Sequence, residues 1–216
     1  MKRFLVALLL AVASLIPLHA AQPYERSVFP LYFIAELESG AKVWWNSCTT
    51  WAINPAQHLL LTAAHCVANE DGTLGPQQFV GFDHKPAKVL RADIARDIAL
   101  LWAELPTEGI TLRTRPIHFK DNLEIPSYQL GWSLLMLTTG RVTNPDGRIL
   151  GDTKSYLWHS VYGCGGSSGA PILDKNGAAV SLEQVGARNF EPCSGVGGGA
   201  TQAELADFAK YFAKVD

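Results

Sequence analysis

The chain has 216 residues, a formal net charge of −2, 48% hydrophobic residues and four cysteines. This length allows one or two units with proper apolar cores, and the near-balanced charge argues against the strongly basic surfaces that hold nucleic acid or anionic membrane. At the start, Lys2 and Arg3 precede an apolar run over residues 4–18 and the small residues Ala20 and Ala21. Residues 1–20 are therefore expected to be a secretory signal peptide cut after Ala20. The mature chain would be secreted or periplasmic, carry about −4, and contain no further segment long and apolar enough to span a membrane.

Beyond residue 20, short runs rich in β-branched and aromatic residues recur at 29–34, 43–53, 59–63, 78–82, 88–92, 98–103, 128–132, 134–142, 156–161, 171–173 and 178–182. Breakers such as Asn144-Pro145-Asp146-Gly147 and Lys175-Asn176-Gly177 separate them, and the second predicts a hairpin. The pattern is all-β. Only the C-terminus reads as a helix, over about 202–213: Thr201 and Glu204 form a capping box, followed by Leu205, Phe208, Ala209 and Phe212 at helical spacing. Pro116 and mixed charge place a seam near 111–121, so units of 21–115 and 116–216 are expected.

Three local patterns carry chemistry. His65 lies in Leu61-Thr62-Ala63-Ala64-His65-Cys66, and an imidazole can accept a hydroxyl proton near neutral pH and return it to a leaving group. Asp97 precedes the apolar run Ile98-Ala99-Leu100-Leu101, where a strand can anchor a carboxylate that fixes the tautomer of a neighbouring imidazole. Ser168 lies among Gly165, Gly166 and Gly169, which leave backbone amides accessible around a hydroxyl that such a base can activate.

Rival readings are testable on the sequence. Gly165-Gly166-Ser167-Ser168-Gly169 also fits the nucleophile-elbow pattern centred on Ser167, but that fold places its histidine last, and every histidine here precedes Ser167. Asp93 echoes Asp97 in Asp-Ile-Ala, yet Arg96 interrupts the apolar run after it, so Asp93 is expected at the surface. Four cysteines in an exported chain favour disulfides, with three pairings open, and their spacing fits no common zinc-ligand pattern.

His65, Asp97 and Ser168, in that order and in those contexts, resemble the chymotrypsin/trypsin family of serine proteases. The resemblance runs from about Val43 to the C-terminal helix. It implies two six-stranded antiparallel β-barrels of the trypsin-like type, the first carrying His65 and Asp97 and the second Ser168, with an acyl-enzyme mechanism. It further implies an oxyanion hole from the N–H groups of Gly166 and Ser168, and disulfides Cys48–Cys66 and Cys164–Cys193. Tyr162, Ser181, Leu182 and Glu183 would lie around the substrate, with the Ser181 hydroxyl supporting Asp97 and Gly195 to Gly199 forming a pocket wall or a surface loop. No cofactor or metal is implied. The expected partner is a peptide or protein substrate, with a protein inhibitor as a second kind of partner, and the chain is expected to act as a monomer.

The departures are informative. Ser167 stands where the animal enzymes have an aspartate that pairs with a freed N-terminus, and no Ile-Val-Gly-Gly follows the signal segment. Ser167 and Ala170 match bacterial relatives such as the glutamyl endopeptidases and Htr-type proteases. Tyr162 occupies the position of trypsin's pocket aspartate, and Val180 that of a glutamyl endopeptidase histidine, so neither preference is carried over. Glu183 either lines the pocket and favours a basic group or points to solvent with the alignment slipped. A protease-like binding protein without turnover and an esterase using the same three residues are the alternative functions.

Overall fold

The computed structural model describes residues 24–105, 107–148, 154–186 and 193–212; the expected signal peptide lies outside them. Six strands, β1 (Val28–Glu36), β2 (Lys42–Asn54), β3 (Leu59–Thr62), β4 (Gln78–Val80), β5 (Lys85–Asp93) and β6 (Ile98–Trp102), close into a barrel in the order β1-β2-β3-β6-β5-β4. A second closed barrel, ordered β11-β12-β14-β9-β8-β7, is built from β7 (Asn122–Ser127), β8 (Met136–Arg148), β9 (Ser155–His159), β11 (Pro171–Asp174), β12 (Ala179–Gly186) and β14 (Gly197–Ala200). The pairs β10 (Gly163–Cys164) and β13 (Cys193–Ser194) form a small ladder beside it. This is the all-β, two-barrel, trypsin-like architecture that the resemblance implied.

The apolar runs at β3 and β6 are continuous because both faces are buried. Leu60, Ala99 and Leu101 fill the first barrel with Leu31, Ala52 and Val80. Their neighbours Leu59, Leu61, Ile98 and Leu100 face the other way, into a cluster with Trp51, Tyr128, Leu173 and Leu182 that seals the two barrels together. Period-2 side-chain alternation thus divides each strand between an interior and a seam. The same ladder pairs Thr62 with Ala99, so the segment just after β3 and the residue just before β6 emerge at one end. His65 and Asp97 occupy those two positions. The second barrel has its own interior of Leu123, Ile125, Val142, Leu157, Ile172 and Val180.

Both disulfides form with the implied pairing, Cys48–Cys66 and Cys164–Cys193. The Asn176-Gly177 hairpin is also present: Gly177 takes φ +79°, and Asp174 Oδ1 accepts from the N–H groups of Asn176 and Ala178. Among the described residues no helix is long and apolar enough to cross a membrane.

Several elements differ from the sequence reading. The strand expected at 128–132 is a turn, with Leu130 at φ +55° and Gly131 at φ +73°, and the strand is β7 just upstream. Pro126 obscures β7, but β11 pairs with it only at Leu123 and Glu124, so the proline lies past the doubly paired stretch. The breaker at 144–147 lies inside β8, where the register against β9 shifts at Asn144 and again before Gly147 and absorbs it as bulges. Of the two readings of the glycine run the wall holds, since Gly197 lines the cavity, and Gly197–Ala200 form a strand whose neighbours leave no room for side chains. A Cβ on Gly198 would stand 3.2 Å from Trp158, and one on Gly199 2.8 Å from Ile172 Cδ1.

The terminal helix α1 (Gln202–Ala209) is shorter than expected, with Lys210 to Phe212 in a turn and residue 213 outside the described residues. Its capping box is as read: Thr201 Oγ1 accepts from Glu204 N–H at 3.3 Å, and Glu204 Oε2 accepts from Thr201 N–H at 2.9 Å. Leu205, Phe208 and Ala209 pack into the seam cluster. Thr201→Ala should cost about 1 kcal/mol and lower the melting temperature by roughly 2–4 °C, measured by calorimetry.

Candidate active site

His65 follows β3 on a single 3₁₀ turn, Ala64–Cys66, whose C-terminal cysteine is bonded to Cys48 on β2. Asp97 closes the turn between β5 and β6 with φ +53°, a left-handed conformation that aspartate tolerates better than most residues. Both its carboxylate oxygens address His65: Oδ1 accepts the His65 N–H at 2.8 Å, and Oδ2 lies 2.8 Å from Nδ1. An ionised carboxylate only accepts, so Nδ1 carries the proton and Nε2 keeps its lone pair. The imidazole is 46% exposed and the carboxylate 17%, so the pair has one protected and one open side.

Ser168 lies on the loop between β10 and β11 and borders the same cavity as His65, a space of about 270 Å³. Among the described residues no hydrogen bond joins the two side chains, a separation common in unliganded sites that tighten on substrate. Gly166 and Gly169 take φ values of +96° and +82°. Around them the Ser167 N–H and hydroxyl both reach the Cys164 carbonyl, at 3.0 and 2.7 Å, so the loop is closed from within. Among the described residues the N–H groups of Gly166 and Ser168 donate to no protein acceptor. Two unspent donors flanking a hydroxyl are what an oxyanion needs.

What presses this loop against the first barrel is Thr49 on β2, fully buried. Its N–H donates to the Ser168 carbonyl at 2.8 Å, its Oγ1 donates to the Gly166 carbonyl at 2.8 Å and accepts from Tyr128 N–H at 2.9 Å, and its carbonyl accepts from Thr62 Oγ1 at 2.8 Å. Thr49 faces Pro30 at a non-bonded position of the β1–β2 ladder, so its N–H and carbonyl both point away from β1, toward Ser168 and Thr62. Gly169 marks the closest approach: a Cβ there would collide with Thr62 Oγ1 and the Thr49 carbonyl.

The other expected site residues separate. Glu183 lines the cavity, together with Gln184, Val185, Gly186 and Gly197. Tyr162 is 53% exposed and outside its lining. Leu182 is buried in the seam. The Ser181 hydroxyl donates to the Ala200 carbonyl at 2.5 Å and does not reach Asp97. Gln184, three residues later, takes that bridging place: its Nε2 donates to the carbonyls of Asp97 at 2.8 Å and Arg96 at 2.7 Å. The resemblance placed this support at Ser181, three residues earlier on β12. Asp93 is also more than a surface residue, since Oδ1 accepts Arg96 N–H at 3.1 Å and shapes the turn that presents Asp97. The sulfurs of Cys48 and Cys66 cluster with His65, but their disulfide leaves no thiolate there for a metal.

A family model described as trypsin-like peptidase domain matches residues 48–182. The chain belongs to that family. Among solved structures, this trypsin-like peptidase is similar in fold to the Rv3671c protease from M. tuberculosis in its active form, at 22% identity and TM-score 0.68, covering 89% of this chain and 83% of that one. It is also similar to the HtrA-type protease AlgW with a decapeptide, at 18% identity and TM-score 0.72, covering 87% of this chain and 64% of AlgW. No curated protein sequence matches it. Peptides or proteins are therefore its class of substrate.

Thr49 and Gln184 escaped the sequence reading. A threonine in a strand carries no signal beyond β propensity, and its place directly after Cys48 was the one available hint. Thr49→Val would keep the shape and strand two groups, the Gly166 carbonyl and the Tyr128 N–H, costing about 2 kcal/mol and lowering the melting temperature by roughly 4–8 °C, as thermal unfolding would record. Tyr128 offers a second check: burial pushes its phenol up from 10.0 to about 12. Burial favours the neutral phenol, so its contribution to stability is complete below pH 10 and is lost as pH rises through about 12. Tyrosinate absorbance should show one late ionisation, and the melting temperature should fall across the same interval.

Proposed function

We propose that this trypsin-like peptidase is an exported serine endopeptidase in which His65, Asp97 and Ser168 act as base, orienter and nucleophile. The observation that carries the reading is the doubly bonded His65–Asp97 pair, whose imidazole borders the same cavity as Ser168. In the first step the Ser168 hydroxyl gives its proton to His65 Nε2 as Oγ attacks the substrate carbonyl. The Gly166 and Ser168 N–H groups receive the charge on the carbonyl oxygen, and Asp97 stabilises the imidazolium that forms. The imidazolium then protonates the departing amine, leaving an acyl-enzyme. Water, deprotonated by the same imidazole, releases the acid and restores the hydroxyl.

Export is supported by the charge and hydropathy pattern of residues 1–20 and by the two disulfides, which persist in oxidising compartments. Because the Ser167 hydroxyl already closes the nucleophile loop on the Cys164 carbonyl, the loop needs no ammonium partner at that position.

A fluorophosphonate probe should label Ser168, and Ser168→Ala should lower peptide hydrolysis by on the order of a millionfold with little change in melting temperature. Asp97→Asn should cost on the order of 10⁴-fold through loss of the required tautomer. An unlabelled, inert protein would instead favour the binding-protein alternative.

A further inference from the structure

The cavity beside Ser168 contains a carboxylate that is only half used. Glu183 is buried on β12, and its Oε2 lies 2.7 Å from Nε2 of His159 on β9, with side-chain exposures of 6% and 1%. The other ring nitrogen, Nδ1, accepts the Val161 N–H at 3.2 Å. A ring that accepts at one nitrogen and donates at the other is neutral, so the pair keeps the negative charge of the carboxylate.

Oε1 has no hydrogen-bond partner among the described residues. It lies between two glycines of the cavity wall: a Cβ would stand 3.8 Å from it on Gly163 and 2.5 Å from it on Gly197. Glu183 is the one carboxylate among the described residues lining the cavity, and no lysine or arginine joins it there. The backbone also ties it to the nucleophile, because Gly169 N–H donates to the Glu183 carbonyl at 2.7 Å and Glu183 N–H to the Ala170 carbonyl at 2.8 Å.

We infer that Glu183 is a specificity-determining residue that selects substrates with a cationic side chain, lysine or arginine, on the residue whose carbonyl Ser168 attacks. This rests on Ser168 being the nucleophile. Oε1 presents to the cavity a charged acceptor with no protein donor among the described residues, and an ammonium or guanidinium supplies the charge-assisted bond that an apolar side chain lacks. An acidic side chain would add like charge to a desolvated site. His159 is a positioning residue: by occupying Oε2 from behind, it turns Oε1 toward the cavity.

The test compares matched peptides that differ only in lysine, arginine, norleucine or glutamate at that residue. The wild-type protein should prefer the cationic pair over norleucine by about 10- to 100-fold in kcat/KM, and Glu183→Gln should erase that ratio. His159→Leu should raise KM for the cationic peptides with less effect on kcat, and His159→Gln, which restores a donor, should recover the lower KM. Benzamidine should slow fluorophosphonate labelling of the wild-type protein where its uncharged relative benzamide does not, a measurement independent of any variant's folding. Preference for norleucine or glutamate, or no protection by benzamidine, with Ser168 still labelled, would overturn the inference and leave the serine mechanism standing. If Ser168 is not labelled at all, benzamidine can still be scored by melting temperature: a rise in wild type that Glu183→Gln lacks supports the cation site, and no rise ends it.

Discussion

A buried threonine on one barrel holds the nucleophile loop of the other. Thr49 spends its N–H, its hydroxyl and its carbonyl on four contacts that reach Ser168, Gly166, Tyr128 and Thr62. None of these bonds is strong alone, but each lies where water cannot substitute for a lost partner. The ladder makes the arrangement possible, because at this non-bonded position the Thr49 N–H and carbonyl are both turned away from β1. Through this residue the distance from the His65 segment to the Ser168 loop becomes a property of β2, a rigid element, and not of two separate loops.

The opposite flank is held by the mirror of this logic. Gln184, on the second barrel, grips the carbonyls of Arg96 and Asp97 on the first. Arg96 in turn bonds Asp93 in its own turn and Asp207 on α1. The exposed ion pair with Asp207 contributes little by itself. The buried amide of Gln184 is the stronger constraint, since it leaves the carboxylate of Asp97 wholly available to His65.

Much of this was readable beforehand. The histidine, aspartate and serine contexts, the cysteines, the two-sided apolar runs at Leu59–Thr62 and Ile98–Trp102, the Asn176-Gly177 turn and the capping box all have local signatures. What escaped depends on partners distant in sequence. β7 hides behind Pro126, which an edge position tolerates, and β8 absorbs Asn144 to Gly147 because a bulge can. The Gly197–Ala200 strand is glycine-rich because the residues beside it are large, a fact written elsewhere in the chain. The resemblance assigned the bridge to Asp97 to Ser181, whereas β12 hands it to Gln184.

The seam itself sets how the molecule can be divided. Leu59, Leu61, Ile98 and Leu100 turn apolar surface outward from the first barrel, and Leu173, Leu182 and Phe208 answer them from the other side. A chain severed between β6 and β7 would yield two fragments, each bearing a wide greasy flank suited only to its counterpart. Such halves would reassemble or precipitate, so gene fission or recombination at this boundary is closed to the protein unless both pieces are made together.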